Sequence, residues 1–251
     1  MKYITVLIAA LLALSACTAK DAVSPRDQKI GQAVKNEGEA FLLEGDYTDA
    51  LKKFLEAEKL IPEDPYLHHD IGLAYMGKNR YQLAETHFQK AIELNPDYTA
   101  ALNSLGTAYL KQKEYDKAIE QFKQVADNIL YATPHYPLSN IGWAYYRKND
   151  FFKAKHYFKK ALKDKPDFVQ AIHGQSLTYL SLQMPEKAVS LLEEKIKKVP
   201  SVAVLHSDLA KAYEAFYEYD KAKQSWEQVL NLAEENSSLF DEAEKQLRLL
   251  E

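Results

Sequence analysis

A long period of small, aromatic and alanine positions is laid over the short helical period of this chain. Gly38, Gly72, Gly106, Gly142, Ser176 and Ala210 follow one another at steps of 34, 34, 36, 34 and 34 residues. Counted from each, an aromatic stands at +3: Phe41, Tyr75, Tyr109, Tyr145, Tyr179 and Tyr213. An alanine stands at +12 in every case (Ala50, Ala84, Ala118, Ala154, Ala188, Ala222). A large apolar residue stands at +16: Phe54, Phe88, Phe122, Phe158, Leu192 and Trp226. Small side chains let two helices approach closely where larger ones would overpack the contact, and aromatic rings fill the space around such contacts. Proline cannot continue a helix, and Pro62, Pro96, Pro166 and Pro200 close four of the six units. The pattern predicts two antiparallel helices per unit and no strand.

A period of 34 carried by several residue types resembles the tetratricopeptide repeat, in which helix pairs stack on one another. The resemblance implies an all-α right-handed superhelix of six repeats, at 31–64, 65–98, 99–132, 135–168, 169–202 and 203–236. Residues 238–250 read as one more amphipathic helix, with Leu239, Phe240, Ala243, Leu247 and Leu250 on its apolar side. A terminal repeat exposes a face with no further neighbour, so a C-terminal capping helix is expected there. The repeat domain is placed at 29–251.

The N-terminus follows other rules. Lys2 precedes an apolar run from Ile4 to Leu14, too short to span a bilayer as a permanent helix. It ends in Leu14-Ser15-Ala16-Cys17, the layout of a secretory signal over residues 1–16. The small pair before the cysteine resembles a bacterial lipobox, which implies lipid on Cys17, the single cysteine of the chain. Acyl chains anchor through roughly 0.8 kcal/mol per buried methylene. Residues 17–28 are polar and mixed, a tether between lipid and repeats. Thr18, in place of aspartate, implies by the same resemblance release to the outer membrane, on its periplasmic face, in a Gram-negative type of bacterium.

Charge narrows the partners. The formal net charge of −4, or −5 once Lys2 is removed, comes without a basic stripe to replace phosphate counterions, so nucleic acid is not expected as a partner. Seven histidines invite a search for chemistry. His68, His69 and Asp70 are adjacent, and adjacent helical residues diverge by about 100°, which keeps them from converging on one ion. His87 and His156 fall at places on second helices where solvated side chains are common. No metal, phosphate-binding or hydrolase motif occurs. No catalytic residue, cofactor, metal or small-molecule substrate is expected.

First helices of stacked repeats line the side that receives a partner's segment. By register that face carries Tyr66, His69, Leu73 and Met76 in repeat two. Repeat three offers Asn103, Thr107 and Leu110, repeat four Tyr136, Ser139, Trp143 and Tyr146, and repeat five His173, Leu177 and Leu180. Leu138 fills the core place of repeat four, which leaves Trp143 on the open side. An exposed cluster of Tyr66, Tyr136, Trp143 and Tyr146 is the composition of a binding surface. Lys35, Asn103 and Lys211 are too scattered to grip a C-terminal carboxylate, so an apolar or amphipathic protein segment is the expected occupant.

The step of 36 falls at Val125–Pro137, where Leu130 stands in place of a proline and Thr133 and Pro134 are added. Pro134 and Pro137 predict a helix stop and an extended turn bearing Tyr131 and Tyr136. This Tyr-Ala-Thr-Pro segment, entering an Asn-Ile-Gly-Trp-Ala-Tyr helix behind a lipobox and six repeats, resembles the type IV pilus pilotin lipoproteins (the PilF, PilW and Tgl family). The resemblance implies an outer-membrane lipoprotein that binds pilus secretin subunits and promotes their multimerisation. A lipid-held groove raises the local concentration of such a subunit. The competing reading is a general periplasmic adaptor lipoprotein that docks proteases or cell-wall enzymes on the same face.

Overall fold

The computed structural model describes residues 23–128 and 131–250. Cys17, the signal segment and Leu130 lie outside the described residues. Among those described there are thirteen α-helices and no strand. They run α1 Pro25–Glu44, α2 Tyr47–Glu58, α3 Pro65–Gly77, α4 Tyr81–Leu94, α5 Thr99–Lys111, α6 Tyr115–Asp127 and α7 His135–Arg147. The rest are α8 Phe151–Asp164, α9 Val169–Ser181, α10 Pro185–Ile196, α11 Ala203–Ala215, α12 Tyr219–Leu232 and α13 Ser238–Leu249. Odd-numbered helices up to α11 are the first helices of the six repeats, and even-numbered ones the second. No described helix is long and apolar enough to cross a membrane.

The segment read as a tether ends earlier than its polarity suggests. The Ser24 hydroxyl caps the Asp27 N–H at 3.0 Å, and Pro25 takes the first helical position, where its missing N–H costs nothing. Helix α1 therefore starts within 17–28. Similar caps fix other starts: Asp46 accepts from Thr48 and Asp49, and Asp64 from Tyr66 ahead of Pro65.

The turn inside each repeat is the same turn six times. At +7 the backbone is left-handed: Gly45, Asn79, Lys113, Asn149, Gln183 and Tyr217 have φ between 56 and 81°. One residue on, the N–H donates to the carbonyl of the +3 aromatic, from Asp46 to Phe41 through Glu218 to Tyr213, at 2.9–3.0 Å. This is the Schellman closure of a helix, which satisfies a carbonyl the helix would otherwise leave without a donor.

The ladder of small residues has a direct cause in packing. A Cβ added at Gly38, Gly72, Gly106 or Gly142 would lie 2.4–2.7 Å from the ring of Phe54, Phe88, Phe122 or Phe158 respectively. Those four rings, like Leu192 and Trp226 in the last two repeats, are fully buried. The +12 alanines are fully buried too. Phe158 alone among these rings also faces a glycine of the next repeat, Gly174.

The chain divides into two compact units, one ending at Pro96 and one beginning at Asp97. In the first, Leu51, Phe54 and Ala57 of α2 pack with Val34 of α1 and Leu67, Ile71 and Ala74 of α3. In the second, a core from α8 to α12 centres on Phe158, Ile172, Leu192 and Leu205. Ala243 of α13 packs with Ala210, Trp226 and Val229, with Leu239, Leu247 and Leu250 around it, so the last helix covers the end of repeat six.

Candidate functional site

Three residues before each small residue, the first helices carry a polar side chain: Lys35, His69, Asn103, Ser139, His173 and Ser207. In the first unit this row is buried. The Lys35 ammonium lies 3.4 Å from Glu39, 3.7 Å from Asp64 and 3.8 Å from Asp70, and 5.5 Å from the centre of the Tyr66 ring. Burial pushes the Asp70 carboxyl up to about 7, against the pull of Lys35. His69 was expected on the open face, but the residue is only 9% exposed and its ring lies 5.6 Å from that of Phe88. Burial, reinforced by Lys35, lowers it to about 4, so the imidazole is neutral at pH 7. The residues that remain accessible here are Tyr66, at 51%, and the half-buried Leu73 and Met76.

In the second unit the aromatics divide in a way the register does not distinguish. Tyr136 is exposed and meets Phe168 edge-on at 5.0 Å. Trp143 is half-buried, edge-on to Phe158 at 5.4 Å and to Tyr146 at 5.6 Å, with His173 at 5.4 Å. One side of the indole therefore rests on the repeat core. Tyr146 is also half-buried, 5.4 Å from Phe151, and its hydroxyl lies 3.3 Å from the Ser181 hydroxyl. Leu110, Leu177 and Leu180 are half-buried. Among the described residues, Asn103 Oδ1 and Ser139 Oγ are buried without a hydrogen-bond partner, so Ser139 does not lie on the open face expected of it.

His173 is held from beneath. Its Nδ1 lies 2.7 Å from Oδ2 of the buried Asp208, and the Ser176 hydroxyl lies 2.9 Å from the same oxygen. With Nδ1 bonded to the carboxylate, Nε2 is the ring nitrogen that Asp208 does not engage. Serine, histidine and aspartate meet here, but the hydroxyl is wired to the carboxylate and to the His173 carbonyl at 2.7 Å. In a hydrolytic triad the hydroxyl must reach the imidazole. The cluster orients His173 against Trp143.

A third group was not anticipated. Glu58 at the end of α2, His68 on α3 and His87 on α4 converge in the first unit. His68 Nδ1 is 3.3 Å from His87 Nδ1 and 3.6 Å from Glu58 Oε1, and His87 Nδ1 is 4.0 Å from the same Oε1. His87, expected to be solvated, stacks on His68 at 5.5 Å and on Tyr75 at 5.6 Å, and burial lowers its pKa. The available signal was register: repeat two alone has histidine at both −4 and +15.

Comparison with known proteins agrees with this architecture. Models of the tetratricopeptide repeat match residues 38–79, 69–136 and 135–168. The chain is a tetratricopeptide-repeat protein. It is 26% identical over 195 residues to the BBSome complex member BBS4 of Bos taurus, covering 78% of this chain but only 37% of that protein. Two solved structures match nearly end to end. PilF of Pseudomonas aeruginosa aligns with a TM-score of 0.70 at 17% identity, over 88% of this chain and 99% of that one. PilW, a widely conserved type IV pilus biogenesis factor, aligns with a TM-score of 0.75 at 18% identity, over 85% and 97%. At these identities the likeness establishes a shared fold.

Proposed function

We propose that this protein is a lipid-anchored outer-membrane scaffold of type IV pilus biogenesis, binding secretin subunits and promoting their assembly into a multimer. The observation that carries the reading is extent. The same run of repeats fills almost the whole of PilF and PilW, and here it follows a signal whose lipobox ends at the chain's single cysteine. Cys17 supplies the anchor, and the first-helix faces bearing Tyr66 in one unit and Tyr136, Trp143 and Tyr146 in the other supply the contact. Binding, with no bond made or broken, is the whole mechanism: a tethered receptor raises the concentration of its subunit at the membrane.

Deletion of the gene followed by an immunoblot of unheated outer membranes tests the reading. The heat-resistant secretin multimer disappears while monomer remains. An unchanged multimer refutes the secretin role and leaves a general periplasmic adaptor. Cys17→Ser is expected to lose the outer-membrane fraction and to scatter the secretin. Retention of the variant in that fraction would show that the cysteine is not the anchor.

A further inference from the structure

We infer that Glu58, His68 and His87 form a binding site for a divalent transition-metal ion of the zinc class, joining the last turn of repeat one to both helices of repeat two. The three facing atoms are separated by 3.3, 3.6 and 4.0 Å, so a point equidistant from them lies about 2.1 Å from each. Zinc takes histidine nitrogen and carboxylate oxygen at about 2.0–2.2 Å, so the spacing fits the ion once both imidazoles, which now face each other nitrogen to nitrogen, turn their lone pairs onto it. Two imidazoles and one carboxylate suit zinc and its neighbours and not the oxygen-seeking magnesium or calcium.

The surroundings are arranged as a metal site's are. His68 Nε2 lies 2.8 Å from the Pro62 carbonyl oxygen, so it donates there and the Nδ1 lone pair points at the cluster. Tyr75 stacks on His87 and fixes the plane of that ring. Glu58 is the last residue of α2, where the helix dipole disfavours a carboxylate and a bound cation relieves it. Its side chain is 30% exposed against 6% for His68, so the ion enters past the carboxylate, where water holds the fourth position.

Repeat six supplies the comparison. His206 occupies the position of His68, and its Nε2 makes the same 2.8 Å bond to a closing proline, Pro200. The place of His87 there is taken by Ser225. Bonding to proline alone is thus a structural use of the −4 histidine, and the second histidine is what makes a site.

The full chain, carrying no added histidine tag, is titrated with Zn2+ by calorimetry and with Co2+ by visible absorption. One ion per chain is expected, with the intense ligand-field bands of a low-coordinate cobalt centre and a Tm raised by about 5 °C at a hundredfold excess of zinc over its Kd. His87→Gln lowers the affinity about a hundredfold and abolishes the bands; Glu58→Gln, at a partly exposed helix end, lowers it about tenfold with the helical circular dichroism unchanged. His206→Gln leaves both unchanged. A cobalt spectrum like that of the aqueous ion, or equal zinc affinity in wild type and Glu58→Gln, overturns the proposal. Loss on His206→Gln in place of His87→Gln does the same. The fate of the secretin multimer bears on none of these outcomes.

Discussion

Replacing Gly106 by serine sets one contact of the fold against another. The new Cβ would lie 2.7 Å from Phe122 Cε1 and 2.9 Å from two further ring atoms, well inside ordinary van der Waals separation. Phe122 is fully buried and has no solvent to swing into. Overpacking of this kind costs about 1–3 kcal/mol, and leaving glycine in a helix interior returns about 0.5 kcal/mol. Gly106→Ser is therefore expected to destabilise by about 1–2 kcal/mol, or a few degrees in Tm. Phe122→Leu alone loses part of a buried ring, again about 1–2 kcal/mol. Together the two reproduce the pair nature uses in repeat five, where Ser176 stands opposite a fully buried Leu192. The double variant should cost only about 1 kcal/mol, a coupling of about 1–3 kcal/mol between neighbours. Urea and thermal melts of the four chains, followed by helical circular dichroism, measure this cycle. Additive losses would refute the argument that the small residue exists to admit the ring.

Tyr217 is left-handed at φ 62°, with a side chain 78% exposed, so Tyr217→Gly relieves the backbone at little loss of packing. A gain of about 0.5–1 kcal/mol is expected from the Tm, and a loss would mean that the edge contact of the ring with Tyr219, 6.5 Å between centres, outweighs the backbone strain. Trp143→Ala removes an indole seated between Phe158, Tyr146 and His173. Under the proposed function it should weaken binding of a purified secretin subunit at least tenfold while the helical signal persists, and unchanged affinity in a pull-down would assign the indole to packing alone. Asp208→Ala strips His173 and Ser176 of a shared buried acceptor and should lower stability by about 1–3 kcal/mol in the same melts.

The fold was legible because its cause is local. Gly38 and Phe54, or Gly72 and Phe88, lie in one helix pair, and their spacing is fixed by the length of two helices and a turn. The face was legible in register but not in exposure. Register put His69 and Trp143 on the open face, but His69 lies buried against Phe88 and Trp143 half-buried against Phe158, because how far each ring sinks is set by a side chain of the following helix. The Glu58–His68–His87 cluster was missed because proximity along the chain paired His68 with His69. Helical geometry pairs it with residues ten before and nineteen after.

The rings opposite the small residues also say where this chain is free to grow. Between α6 and α7 the two extra residues, Thr133 and Pro134, leave Gly106–Phe122 and Gly142–Phe158 intact, because each of those pairs closes inside its own repeat. Between α8 and α9 the Phe158 ring is clasped by Gly142 on one side and Gly174 on the other. An added residue at the first junction leaves both glycine–ring pairs in place; at the second it pulls a glycine off a ring. Length variation, fluorophore insertions and protease sites therefore belong before His135, and the junction around Lys165 should keep its length.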